Sequence, residues 1–353
     1  MSVIRNINRN KNAILRNIKK ALLISFLKTR RFTPLFDPAT VRNILLLRLD
    51  DKIGDMVVTT FTAQQLARQG YQVSVLTGPI CSTMLEKCRY LDKIFLYKNR
   101  MPLKELHAQQ FDVVIDFDDV QDLERLKLAW DLKAAYNIGF NKPGLNIYNL
   151  PITFLNAEQH VTERHKQVLR LFNIEPESAQ YYLGECDIEH RKVVQTLEYV
   201  SEETIVAINP FSGAQDKDFS AAQVIELISF IRDLDANIKV VMIGPTKKVD
   251  SFRTHGAYVV ADSTINTAIE TVRIADLVIS TDTSIVHIAN ALNRKLVAIY
   301  NKRKLKDTGL PGYKIWAPNY VGATQIVIDE ENVCDYSVSQ AFPIIENLLK
   351  KRV

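Results

Sequence analysis

The chain has no Cys-x-x-Cys pair, no Gly-x-Gly-x-x-Gly run and no apolar stretch long enough to cross a bilayer. Its four cysteines, Cys81, Cys88, Cys186 and Cys334, are scattered and share no metal-ligand spacing with the six histidines. That argues against a structural zinc site and a disulfide framework, and it fits a reducing cytosol. The missing glycine fingerprint disfavours a dinucleotide oxidoreductase. The N-terminal run ALLISFL is seven residues long, far short of the ~20 needed for a membrane span. KTRR follows it where a cleaved signal peptide would carry small residues, so no such peptide is expected. Glycine and proline, 12 each, leave little room for long disordered linkers.

Acidic residues are absent from residues 1–36, which hold nine lysines and arginines. Removing those nine leaves 36 basic against 40 acidic residues, so the formal +5 of the whole becomes about −4 for the body. The basicity belongs to one segment. There Ile7, Ile14, Ile18, Leu22 and Phe26 recur at helical spacing among Arg and Lys. Such a pattern suits a basic amphipathic helix on an anionic membrane surface; a basic arm, packed or disordered, is the plainer alternative. Nucleic acid is a weaker partner, because the body offers no basic continuation.

What is present is a repeated alternation. With 353 residues, two domains are expected. Short continuous runs of Val, Ile and Leu occur at 43–49, 71–77, 93–97 and 111–117, with helical spacing between them, and 134–140 reads as a fifth strand. A polar stretch over 141–160 breaks the rhythm, a helix is expected over 161–172, and the alternation restarts at 204–210, 238–245, 257–261, 275–282 and 295–301, with 324–329 as a candidate sixth strand. Continuous apolar strands alternating with helices predict parallel sheets covered on both faces. Two such α/β halves would face one another across a cleft at the carboxyl ends of their strands, where ligands bind.

Four polar turns follow strands. In RLDDKIGDMVVTT, Gly54 permits a turn and Asp55 opens a helix expected near Met56; Asp55 is either an N-cap or, in a cleft, a general base. In NPFSGAQDKDFS, Ser212 and Gly213 turn the backbone and Lys217 projects from the loop, a combination suited to phosphate. In IGPTKK, Gly244 ends a buried strand. In STDTSIVHIANAL, Thr281, Asp282, Thr283 and Ser284 precede a helix expected from Ile285, with His287 in its first turn. Ordinary capping and diphosphate binding are both open there. Asp116 lies in DFDD, a DxD of the kind that elsewhere holds a divalent metal beside a nucleotide diphosphate; here it reads as cleft-lining or capping.

Taken in order, GDMVVTT, DVVID, NPFSGAQDK, IGP and DTSIVHIANAL resemble the motifs of glycosyltransferase family 9, the lipopolysaccharide heptosyltransferases, over about residues 43–349. The resemblance implies a GT-B type fold with two Rossmann-like domains, expected at 41–173 for acceptor and 174–335 for nucleotide sugar. A basic segment over 1–40 would precede them. A C-terminal helix over 336–353, with the option of packing back on the first half, would follow. It implies an inverting transferase with no metal and no cofactor beyond a nucleotide-diphosphate heptose co-substrate, typically ADP-heptose. The acceptor would be a lipid A-linked core oligosaccharide at the cytoplasmic face of the inner membrane. By motif match, Asp55 is the candidate base. Ser212, Gly213, Lys217, Gly244, Asp282, Thr283, Ser284 and His287 fall to the donor, and Lys52 and Asp116 to the acceptor. Ser284 stands where the family has glycine, which would be uncomfortable if that backbone needed a positive φ. Lys248 stands where a ribose-binding glutamate is usual. A sugar-nucleotide epimerase or hydrolase, or a decayed sugar-nucleotide-binding protein, would share the architecture.

Overall fold

The computed structural model describes residues 14–15, 17–19, 21–22, 25 and 35–350, apart from 99–102, 120–121, 143, 155–157, 177, 201–202 and 306–307. Twelve strands form two parallel sheets of six among the described residues. The first contains β1 (Asn43–Arg48), β2 (Gln72–Thr77), β3 (Lys93–Leu96), β4 (Val113–Asp116), β5 (Tyr136–Phe140) and β6 (Leu150–Ile152), in the order β3-β2-β1-β4-β5-β6. The second contains β7 (Ile205–Asn209), β8 (Lys239–Met242), β9 (Tyr258–Val259), β10 (Leu277–Thr281), β11 (Lys295–Tyr300) and β12 (Ala323–Val327), in the order β12-β11-β10-β7-β8-β9.

The central strands β1, β4, β7 and β10 are buried on both faces and apolar along nearly their whole length. That composition is what a parallel sheet between helical layers requires. Strand β6 is a correction: it lies within the polar stretch expected to break the first half, and pairs with β5 through Gly139↔Pro151. Proline is tolerated there because β6 is an edge strand.

The order of each sheet reverses once, between β1 and β4 and between β7 and β10. Crevices for ligands open at such reversals, beyond the carboxyl ends of the strands. The four loops following β1, β4, β7 and β10 are therefore the ones placed for chemistry. They carry Asp55, Asp116–Asp119, Asn209–Lys217 and Asp282–Ser284.

The halves are joined by a shared apolar core. Val57, Val58 and Phe61 of the helix Ile53–Arg68 belong to the same cluster as Ile285 and Ile288 of the helix Ser284–Ala291. This explains why Ile53–Arg68 is buried nearly all round. Its threonines are satisfied within that packing: Thr60 Oγ1 accepts from Tyr182 N at 2.9 Å, and Thr62 Oγ1 meets His165 Nδ1 at 2.8 Å. The C-terminal helix Phe342–Lys350 packs on the second half, not the first. Phe342 stacks on Phe230 at 3.8 Å, and Ile345 is buried in the second sheet's core.

Ile14, Leu15, Ile18 and Leu22 are exposed, on residues with helical backbone. Residues 1–13, 16, 20, 23–24 and 26–34 of the basic segment lie outside the described residues. No helix of the described residues is long and apolar enough to cross a membrane.

Candidate active site

Asp55 is the third residue of the helix Ile53–Arg68, and Lys52 takes the N-cap position with no side-chain cap. The capping role open to Asp55 is thus not the one it plays. Its Oδ1 instead accepts from Arg48 Nη1 at 3.1 Å, and Arg48 is fixed by Nε donating to Thr59 Oγ1 at 2.8 Å. Burial pushes the Asp55 carboxyl above its ordinary value, with Arg48 working against the shift. A carboxyl raised in this way gains the basicity that a general base uses.

Asp55 lines a cavity of about 430 Å³ whose walls come from both halves. Arg48, Asp50, Lys52, Asp118, Asp119 and Arg164 line it from the first half, and Leu305, Leu310 and Trp316 from the second. Across the gap, a Cβ built on Gly54 would lie 3.4 Å from His287 and 3.7 Å from the Ser284 backbone. The two motif turns are therefore in van der Waals reach of one another.

On that opposing side Thr283 is the N-cap of Ser284–Ala291, its Oγ1 accepting from Ile285 N at 3.2 Å. Asn209 locks the turn by donating to Ser280 Oγ at 3.1 Å and to Thr283 Oγ1 at 3.0 Å, and Ser280 is its register partner. Lys217 Nζ donates to Asp282, and Arg303 Nη1 donates to Asp216 beside it. Burial raises the Asp282 carboxyl, and Lys217 opposes that. Two cations thus converge at the carboxyl ends of β7, β10 and β11 next to a helix N-terminus. Such a cluster suits a diphosphate.

The family model described as glycosyltransferase family 9 (heptosyltransferase) matches residues 101–334. The chain belongs to glycosyltransferase family 9. It is 21% identical over 340 residues, 93% of each chain, to the putative lipopolysaccharide heptosyltransferase 4 of Escherichia coli K12. The structure of the E. coli ADP-heptose lipopolysaccharide heptosyltransferase II matches with a TM-score of 0.70 at 16% identity, covering 88% of this chain and 99% of that one. A family 9 glycosyltransferase from Veillonella parvula matches with a TM-score of 0.73 at 15% identity, covering 91% and 100%. The family and the fold agree with the sequence-level expectation, and the protein is a glycosyltransferase.

Several expected site residues sit otherwise than foreseen. Asp116 does not line the cleft. It is fully buried and receives Arg125 Nη1 at 2.9 Å, Lys142 Nζ at 2.6 Å and Tyr148 Oη at 2.6 Å. Its neighbours Asp118 and Asp119 face the cavity instead. Replacing Asp116 by alanine leaves buried Lys142 without a carboxylate and Arg125 with Asp118 as its remaining carboxylate partner, so a loss of about 3 kcal/mol is expected in urea titration, with a folded but weakened first half.

Ser212 is turned inward, its N and Oγ donating to Asp218 Oδ1 at 2.6 and 2.9 Å, so it shapes the loop and offers no N–H to a ligand. Nothing approaches the Cβ position of Gly213, which leaves open space over the loop. Gly244 has φ 152°, a conformation that favours glycine. Ser284 is the first residue of its helix and is not among the positive-φ residues, so the absent glycine brings no backbone strain. His287 is buried beside Tyr181 and Trp316, and burial lowers it to about 3. It stays neutral and packs the contact between the halves. Lys248 lies 5.5 Å from the Phe211 ring centre.

Arg48, Arg164, Arg303 and Trp316 escaped the sequence reading, which took Asp118 and Asp119 only as part of DFDD. Only Arg48, a charge closing an otherwise apolar strand, carried a signal that could have found it. Glu185, His190 and Glu270 bring ligand atoms within 4.8 Å of one another. Glu270 there is already bound by Arg273 Nε at 2.9 Å and Cys186 N at 3.0 Å, so the group ties two helices of the second half together.

Proposed function

We propose that this chain transfers a heptose from a nucleotide-diphosphate heptose, ADP-heptose by analogy with its relatives, to a hydroxyl of a lipid-linked core oligosaccharide. The observation that carries the reading is that Asp55 lines a cavity walled by both halves while its neighbour Gly54 packs against Ser284, in the turn whose Asp282 receives Lys217. The name of the E. coli relative, a putative lipopolysaccharide heptosyltransferase, supports the choice of sugar and acceptor.

In the reaction, the acceptor oxygen attacks the anomeric carbon while Asp55 takes its proton. The bond from that carbon to the diphosphate oxygen breaks, and the electron pair leaves with the diphosphate. Attack from the face opposite the leaving group inverts the anomeric centre. Negative charge grows on the diphosphate, where Lys217, Arg303 and the N-terminus of Ser284–Ala291 stabilise it. These fixed positive groups take the role a metal would otherwise fill, so transfer is expected to persist in EDTA.

The test is incubation of the enzyme with a panel of nucleotide sugars and truncated lipid-linked acceptors, followed by mass spectrometry. Addition of one heptose to acceptor, dependent on both substrates, is the expected product. Donor consumption without acceptor would instead identify a hydrolase or epimerase.

The acceptor is lipid-linked, and we place the enzyme peripherally at the cytoplasmic face of the inner membrane. Support comes from exposed Ile14, Leu15, Ile18 and Leu22 within the basic segment. Apolar burial plus about 1 kcal/mol per basic residue near an anionic surface would hold it. Cosedimentation with phosphatidylglycerol vesicles is expected, falling in high salt and on Ile18→Glu with Leu22→Glu. Vesicle binding that ignores both would remove this assignment.

A further inference from the structure

The loop that leads into Asp55 is anchored by Asp51. Asp50 and Lys52, on either side of it, line the cavity, and the chain between them turns through Asp51 at φ 55°. That left-handed conformation is uncommon outside glycine, and aspartate is among the few side chains that tolerate it. The Asp51 side chain goes to the helix Pro79–Leu85. Its Oδ2 accepts from Ile80 N at 3.1 Å and its Oδ1 from Cys81 N at 2.8 Å. Those are the N–H groups that a local N-cap side chain would take. The N-cap here is Gly78, which has no side chain to offer. A Cβ on Gly78 would lie 2.5 Å from Asp51 Cγ. Glycine at 78 thus makes room for a cap delivered from another loop.

The helix that receives Asp51 is itself fixed. Its Cys81, Met84 and Leu85 are buried in the shared apolar core, and Thr83 O accepts from Asn266 Nδ2 of the second half at 3.3 Å. From Asp51 to the base the path is short. Lys52 is the N-cap of Ile53–Arg68, its O accepting from Met56 N at 3.0 Å, and Asp55 stands in the first turn. Met56, Val57 and Val58 are buried, whereas Ile53, Gly54 and Asp55 are half-buried. The first turn therefore has less packing of its own and leans on the loop before it. Arg48 holds an oxygen of Asp55; Asp51 holds the backbone that leads to it.

We infer that Asp51 is a positioning residue for sugar transfer: by capping the helix Pro79–Leu85 it fixes the loop from which Asp55 is aimed. It acts through Asp55 alone. The inference rests on the proposed reading of Asp55 as the base and adds the group that holds it in place.

The experiment measures transfer from ADP-heptose to a truncated lipid-linked core oligosaccharide, beside calorimetric binding of ADP, in the full chain. Asp51→Gly accepts the left-handed turn at no steric cost and removes both hydrogen bonds, so it separates the anchor from the backbone shape. Its kcat should fall about 10–10²-fold, the scale of a small misplacement at a reacting centre, with ADP affinity little changed. Asp51→Asn keeps one acceptor oxygen and should lose only a few-fold; it carries the same comparisons if the glycine variant does not fold. Placed in an Asp55→Ala background, Asp51→Gly should bring no further loss, because a residue that acts through the base then has nothing left to aim. Wild-type kcat in Asp51→Gly, equal losses of kcat and ADP affinity, or a full additional loss in the Asp55→Ala background would each overturn the inference and leave the transferase reading standing. Wild-type transfer by Asp55→Ala alone would remove the base assignment, and the inference with it.

Discussion

Asp55→Ala should lower the rate of sugar transfer by about 10²–10⁴-fold, the usual contribution of a positioned base, while leaving nucleotide binding within a few-fold of wild type. The separation follows from position. Asp55 sits on the first half with its oxygen on Arg48, whereas Lys217, Asp282 and Arg303, proposed to hold the donor, belong to the second. Calorimetric titration with ADP, set beside steady-state kinetics, would display the split. A fall in both by similar factors would mean that the residue supports structure and not chemistry.

The same residue sets the acid side of the pH profile. The base must be ionised to accept a proton, so activity is present above its pKa and falls as pH drops through it. Burial raises the Asp55 carboxyl and Arg48 pulls it down. The acid limb of kcat/KM should therefore lie above the ordinary aspartate value of about 3.9. Arg48→Met removes the opposing charge and should carry the limb to still higher pH. A limb that stays put in this variant would detach Arg48 from the base.

Lys217→Ala is expected to cost about 10²–10³ in kcat, the scale of losing one preorganised group aimed at developing charge. In the free enzyme Lys217 is held by Asp282, a carboxyl whose burial favours its neutral form. Entry of a diphosphate replaces one anionic partner of Lys217 by another. Asp282→Asn should accordingly tighten ADP binding, and the double variant with Lys217→Ala should fall short of the sum of the single effects, because the two groups share one interaction. Strict additivity in this cycle would place Lys217 and Asp282 on separate tasks.

Much of the fold could be read from residue pattern because parallel strands buried on both faces leave continuous runs such as ILLL of β1 and LVIS of β10. β6 was hidden because its three residues include a proline and lie in a polar neighbourhood. The chemistry divides in the same way. Asp55, Lys217 and Asp282–Ser284 follow strands at the two reversals of strand order, which is why local spacing marks them as candidates. Asp118 and Asp119 were overshadowed by Asp116. Which of three nearby aspartates faces inward depends on Arg125, Lys142 and Tyr148, residues up to 32 positions away. Arg164 and Trp316 reach the cleft only through the packing of one half on the other. No local pattern marks them.

One structure would test the central claim most directly: the enzyme crystallised with a non-transferable 2-fluoro analogue of a nucleotide-diphosphate heptose. The account predicts a diphosphate bonded to Lys217 and Arg303 at the start of the helix Ser284–Ala291, with the anomeric carbon open toward Asp55. A diphosphate bound elsewhere, or a sugar turned away from Asp55, would contradict it.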